Sequence, residues 1–323
     1  YFVIGGVASA MMLYGMSMVY GATGHVDFVT IIKAITLSSA HGLFFNPFLM
    51  NLGIVFIIVG IAFKLGAVPF HMWLPDVYEG SPTAVTLFIG SAPKLAAFAM
   101  LMRLLVEMLP GLHALWQPML ILLSILSMVV GNVLAIAQTN LKRMLGYSGI
   151  AHMGYMFLGV IAGTVAGYQA AFFYMLTYVL MSVASFAMLI LLSRKGFDCE
   201  NIKDLQGLNT RSPWMALMML FVMFSMAGMP PFVGFYAKLM VLEAVIGVHL
   251  VWLAVVAIIC AIIGLYYYLR VIKVMYFEQP EKDDPVAWCF DLRSVLSINS
   301  LALLYFGVFP ASLYFFVHSM FLA

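Results

Sequence analysis

Residues 48–79 read FLMNLGIVFIIVGIAFKLGAVPFHMWLPDVYE, a run of 32 residues with Lys64 halfway along it and prolines at Pro69 and Pro75. A helix crosses a bilayer straight with about 20 apolar residues. This run is too long for that. It is also interrupted, because proline removes a backbone donor and clashes with the turn before it. In lipid the carbonyls freed by such a break need protein, water or ions. Residues 213–245 repeat the pattern over 33 residues, with Gly228, Pro230-Pro231 and Gly234 inside and Lys238 seven residues after Pro231. Interrupted helices at corresponding places in two halves mark inverted-repeat transporters.

Composition sets the solvent. Of 323 residues, 65% are hydrophobic and 9% charged, against roughly 25% charged in soluble domains. That excludes a soluble globular protein. The net charge of +2 argues against nucleic acid or acidic substrates as partners. Cys199, Cys260 and Cys289 are scattered with no CxxC, which speaks against an iron–sulfur cluster, a structural zinc or a disulfide framework. No nucleotide fingerprint of the GxGxxG or GxxxxGK[ST] type occurs. No cofactor or metal is expected in this chain. The chain opens at Tyr1 inside an apolar run, and the N-terminus of the whole protein is expected to lie upstream.

The pattern predicts an all-α polytopic protein with nine transmembrane segments: 2–20, 48–79, 83–108, 118–137, 143–162, 168–193, 213–245, 251–270 and 295–317. No connection is long enough for a second domain, so 1–323 is read as one membrane domain. A short interfacial helix is expected within 21–47, with Asp27 near its start. The two interrupted segments are five apart. An odd-numbered unit reverses orientation in the membrane, so residues 1–108 are read as the rest of a first repeat and 118–270 as the second, inverted one. Basic residues give the sidedness. Lys142, Arg143, Arg194, Lys195, Lys203, Arg211, Arg270, Lys273, Lys282 and Arg293 fall on one side, against Lys33 on the other. The ten mark the cytoplasmic face.

Four of the fifteen basic residues fall within segments: Lys64, Lys94, Arg103 and Lys238. Lys94 is 11 residues into 83–108, near its middle. A charged lysine at midplane costs ~2.5 kcal/mol or more. A lysine that switches between charged and neutral can hold and release a proton, since desolvation and mutual repulsion both lower its pKa. The alternative for each is an ammonium that reaches back to the interface. For Arg103, that reading or pairing with Glu107 one turn on is preferred.

At these residues the sequence resembles a known family, the antiporter-like proton-pumping subunits of respiratory complex I (NADH:quinone oxidoreductase). The resemblance is carried by Phe63-Lys64-Leu65-Gly66-Ala67-Val68-Pro69-Phe70-His71-Met72-Trp73-Leu74-Pro75-Asp76 and by Pro93-Lys94-Leu95-Ala96. Further along it is carried by Lys142-Arg143, Tyr147-Ser148, His152-Met153-Gly154-Tyr155, Gly228-Met229-Pro230-Pro231 and Tyr266-Tyr267-Tyr268-Leu269-Arg270. It covers essentially the whole chain and looks most like the bacterial subunit N branch. A lysine at position 238 rather than glutamate argues against the subunit M branch.

The resemblance implies a fourteen-helix fold with two discontinuous helices, of which the first five helices would be missing here, including the one whose glutamate pairs with the lysine at position 64. It implies that Lys64 is the paired lysine, Lys94 the connecting one and Lys238 the terminal one, all in proton transfer. NADH, FMN, iron–sulfur clusters and quinone would be bound by partner subunits, next to other complex I membrane subunits, neighbouring antiporter-like ones included, and lipid. The setting would be the bacterial inner membrane, crossed several times.

Other residues carry weaker signals. His152, one turn after Ser148, reads equally as a proton relay between Lys94 and Lys238 or as a histidine satisfied within the bundle. His71 reads as capping the break rather than lining an intake path. Asp76 and Glu79 read as solvated or capping carboxylates, and Glu243 as a solvated one near the outer end with an exit-side role as the alternative. Tyr147, Tyr155, Tyr174 and Tyr178 read as packing with satisfied hydroxyls. Two rival functions stay open: a subunit of a cation/proton secondary antiporter, and a structural membrane anchor.

Overall fold

The computed structural model describes residues 1–41, 46–193, 198–279 and 290–321; Arg194, Lys195, Lys282 and Cys289 lie outside them. Among these residues fourteen α-helices run in order: α1 Phe2–Thr23, α2 Phe28–His41, α3 Pro47–Leu65, α4 Trp73–Gly80, α5 Thr83–Leu101, α6 His113–Ile136 and α7 Leu141–Ile161. They continue as α8 Val165–Leu192, α9 Leu208–Arg211, α10 Pro213–Ala227, α11 Val233–Gly247, α12 Val251–Phe277, α13 Phe290–Val308 and α14 Pro310–Met320. Among the described residues there is no strand, only an isolated bridge between Asn140 and Asn201.

Both long segments break, and by the same local solution. Helix α3 stops at Gly66, which takes a left-handed φ of 75°, and α10 stops at Gly228 with φ 82°. A side chain with a Cβ is disfavoured there. The N–H of Ala67 donates to Ala62 O at 2.8 Å, and that of Met229 to Phe224 O at 3.0 Å. Each is the six-to-one bond of a Schellman ending. The chain then turns through Val68-Pro69 and Pro230-Pro231, both cis. The N–H of Phe70 donates to Ala67 O and that of Phe232 to Met229 O. Gly66 to Phe70 thus match Gly228 to Phe232 position by position.

Helix α7 is the axis of the molecule. Every residue from Leu141 to Ile161 except Arg143 is buried, as befits a helix with no polar face. Small residues let its neighbours approach. A Cβ on Gly154 would stand 2.7 Å from Met128 Cγ and 2.8 Å from Ser124 O of α6. The Ser124 hydroxyl donates to Gly154 O at 2.6 Å. Close backbone approach with serine hydrogen bonds is how helices adhere where lipid removes the hydrophobic drive between them.

The structure gives fewer spans than the nine segments expected. Among the described residues, seven helices are long and apolar enough to cross a membrane, or eight if the α13–α14 pair is one span. The 213–245 segment fails as a single span because its halves, α10 and α11, have 15 residues each. The 295–317 segment, read as one span, is bent by 86° between α13 and α14. Pro310, with no N–H to continue the ladder, begins a new helix.

Smaller expectations hold. A helix does form within 21–47, and the Asp27 carboxylate accepts from Thr30 N–H at 3.1 Å at its start. The Thr30 hydroxyl and amide hold the Asp27 carboxyl below its ordinary pKa. Arg103 pairs with Glu107 at 3.2 Å in a π-helical turn, Met102–Glu107, that ends α5. Cys199 follows α8 and is buried; burial, with Asp204 nearby, pushes its thiol up to about 12.

Two tests follow from this packing. Gly154→Leu overpacks the α6–α7 contact by an amount of order 1–3 kcal/mol, so the detergent-solubilised protein should melt several degrees lower; an unchanged midpoint refutes the contact. Cys199 should react with maleimide at pH 8 at least about 100-fold more slowly than a free thiol, read by peptide mass spectrometry.

Candidate functional site

The chemistry gathers around α7. Lys94 of α5 follows Pro93 and is 1% exposed. Its Nζ donates to the Tyr178 hydroxyl of α8 at 2.9 Å and lies 5.0 Å from that ring and 5.9 Å from the Tyr78 ring. Tyr78 is fully buried and its hydroxyl has no partner among the described residues. An ammonium in such a place is costly unless neighbours solvate it, and the aromatic faces and one hydroxyl are what the protein offers.

His152 of α7 is the next link. Its ring is 5.4 Å from that of Tyr178, its Nδ1 is 2.7 Å from the Tyr174 hydroxyl, and its Nε2 is 3.2 Å from the Tyr268 hydroxyl. The Tyr268 hydroxyl is also in a short hydrogen bond with Ser148. Beyond His152 stands Tyr155, whose ring is 6.5 Å from the imidazole and 5.1 Å from Lys238 Nζ. Lys94, Tyr178, His152, Tyr155 and Lys238 therefore form one continuous array across the bundle. Both readings of His152 describe its geometry: it is satisfied within the bundle, and it stands between the two lysines.

Lys238 belongs to α11, yet it serves α10. Its Nζ donates to Ala227 O at 2.7 Å and Met226 O at 3.3 Å, carbonyls left free where α10 ends. A cation at a helix C-terminus also meets the negative end of the helix dipole. In the first break the side-chain donor is neutral and reaches a different carbonyl: the Trp73 indole of α4 donates to Phe63 O at 3.1 Å, the position matching Ser225. Lys64 is on the last turn of α3, half-buried, and donates to the Ser9 hydroxyl of α1 at 3.4 Å. It stands outside the array of the other two lysines. His71, within the first break, is half-buried with its Nδ1 unpartnered among the described residues.

A clamp closes the end of the bundle where α4 stops and α7 starts. Arg143 Nη1 donates to Asp76 Oδ1 and Glu79 Oε2, each at 2.7 Å. Asp76 and Glu79 were expected to be solvated or capping; they are ion-paired as well as open to water. Lys142, one of the ten basic residues that mark one side, is 1% exposed, and its Nζ donates to Glu200 Oε1 at 2.6 Å and Ser81 O at 2.9 Å. Cations on the first turn of a helix oppose its dipole; here the pairing compensates. Glu243 is exposed, as expected of a solvated carboxylate. It lines a cleft of about 710 Å³ with Thr164, Tyr236 and Tyr314 at the opposite end of the bundle.

Sequence reasoning missed Tyr78, Tyr268 and Asn132 as members of the polar interior. Asn132 Oδ1 accepts from the Tyr267 hydroxyl at 3.0 Å. An amide in the middle of an apolar segment was the available signal. Among the described residues no three His, Cys, Asp or Glu side chains gather to hold a metal.

Residues 1–264 match the family model described as NADH:quinone oxidoreductase/Mrp antiporter, transmembrane. NADH-quinone oxidoreductase subunit N of Coxiella burnetii is 55% identical over 99% of this chain, and that of Thioalkalivibrio sulfidiphilus 56% over 97%. The chain spans 66% and 64% of those two proteins' lengths. A chain of respiratory complex I from Thermus thermophilus superposes with a TM-score of 0.82 at 35% identity, covering 97% of this chain and 67% of that one. A chain of the Mrp complex from Dietzia, at 20% identity, shares the fold with a TM-score of 0.84, covering 97% of this chain and 65% of that one.

The clamp predicts a graded response. Glu200→Ala strands the buried Lys142 and should cost about 1–3 kcal/mol, below the full penalty of breaking a buried pair because Glu200 is partly exposed. Glu200→Gln keeps an acceptor and should lose less. Thermal unfolding of the two variants orders them, and equal stabilities would refute the pairing.

Proposed function

The chain belongs to the NADH:quinone oxidoreductase/Mrp antiporter transmembrane family, and from that premise we propose that it is the proton-translocating membrane subunit of an NADH–quinone oxidoreductase, the counterpart of subunit N. The observation that carries this reading is the array from Lys94 through Tyr178, His152 and Tyr155 to Lys238, set inside an apolar bundle. Protons are the ligand. Lys94 and Lys238 hold and release them, His152 relays between them, and Lys64 is the further lysine at the first break. Redox chemistry elsewhere in the complex drives the charge changes. NADH, FMN, iron–sulfur clusters and quinone are held by partner subunits, and other membrane subunits, antiporter-like ones included, flank this one in a bacterial inner membrane.

The chain crosses that membrane nine times on this reading. Helices α10 and α11 together make one broken crossing, as α3 and α4 make another, and α13 with α14 makes the last. The position-by-position match of Gly66–Phe70 with Gly228–Phe232 supports a repeat relation between residues 1–108 and 118–270. The likeness of fold to an Mrp complex chain keeps a cation/proton antiporter subunit as the second reading.

The test uses the assembled complex in sealed vesicles. Lys94→Ala and Lys238→Ala should each lower the protons moved per NADH oxidised by more than half, with the subunits still assembled. Unchanged pumping and quinone reduction in both would leave a structural anchor. Sodium/proton exchange without NADH would favour the antiporter.

A further inference from the structure

A second cleft, of about 790 Å³, opens where the end of α12 meets the segment before α9. Lys203, Arg270 and Lys273 line it, with Tyr266, Leu269 and a single carboxylate, Glu278. That carboxylate is engaged, accepting from Gln206 Nε2 at 2.9 Å. Arg270 is engaged too, donating to Ile136 O and Gln138 O at 3.2 Å, so it adds charge to the cleft while capping the end of α6. The side chains of Lys203 and Lys273 are exposed, and neither is in an ion pair among the described residues. The cleft thus holds two uncommitted ammonium groups, and all three of its cations fall on the side that the basic-residue bias marks as cytoplasmic.

The helix below the cleft is a stripe of exposed apolar side chains. Val255, Ile259, Ile262, Tyr266, Leu269 and Lys273 succeed one another three or four residues apart and share one face of α12. Ile262 is 65% exposed and Ile259 53%. From Ile259 to Lys273 the helix rises about 21 Å, half the ~40–45 Å of a bilayer with its headgroups. Tyr266, amphipathic, stands where the stripe meets the cations, as aromatic residues do at a membrane interface.

We propose that this cleft and stripe form a binding site for one anionic phospholipid of the cytoplasmic leaflet. Lys203 and Lys273 hold its phosphate, and its acyl chain lies along Ile262, Ile259 and Val255. The cations supply charge complementarity that a zwitterionic headgroup cannot use in full, and the stripe gives the acyl chain a face that water would not wet. The site is separate from the lysine array and does not rest on the proton reading. The residues from 280 to 289, which follow Glu278 and include Glu281, Asp283 and Asp284, lie outside the described ones.

The test takes the assembled complex in nanodiscs containing a photoreactive phosphatidylglycerol. Label is expected on the peptide carrying Tyr266 to Lys273. Unlabelled phosphatidylglycerol should compete, whereas phosphatidylcholine and millimolar inorganic phosphate should not. The Lys203→Gln/Lys273→Gln double variant should label about 30-fold less, and Lys33→Gln, on the other face, as the unmodified protein does. Absence of label overturns the site, as when a neighbouring subunit or the following segment covers the cleft. Equal competition by phosphatidylcholine overturns the headgroup assignment, and competition by phosphate overturns the lipid. Unchanged labelling of the double variant, or loss of a neighbouring subunit from it, overturns the role given to the two lysines.

Discussion

A helix that ends inside a bilayer leaves carbonyl groups that no water can reach, and each must be bonded or the ending is lost. Much of this molecule answers that demand. The two endings at Gly66 and Gly228 reuse one backbone motif, and each is completed by a side-chain donor from the helix that follows, Trp73 in one case and Lys238 in the other. Nearby serines take up the amides: Ser127 accepts from Val68 N–H and Ser225 from Gly234 N–H. The second break also meets the array of tyrosines, histidine and lysines, through Lys238.

The buried helix α7 links the joints. It carries His152 between the lysines and presents Lys142 and Arg143 to α4, the short second half of the first broken helix. Helix α4 in turn places Tyr78 beside Lys94. The clamp at the end of the bundle and the environment of Lys94 are therefore connected through eight residues of helix.

The architecture was readable because charge is scarce. In a chain with so few ionic groups, a lysine inside an apolar run beside Gly and Pro has few readings, and the all-helical membrane class, both breaks, the helix after Asp27 and the Arg103–Glu107 pair all follow from local spacing. What was not readable depends on contacts between helices far apart in the chain. Lys142 resembles any loop cation until Glu200 and Ser81 fold over it. Tyr268 gives no hint of His152, 116 residues before it. The bend at Pro310 is hidden in the same way, because an apolar run of sufficient length reads as one span.

The two breaks also differ in how they are pinned. Trp73 donates through an indole that carries no charge. The second joint is pinned by Lys238 itself, and hydrogen bonds from a charged donor are roughly twice as strong as neutral ones. Loss of a proton from Lys238 would soften the hold of α11 on α10. One joint is held by a neutral donor, and the other by a side chain whose charge chemistry can remove.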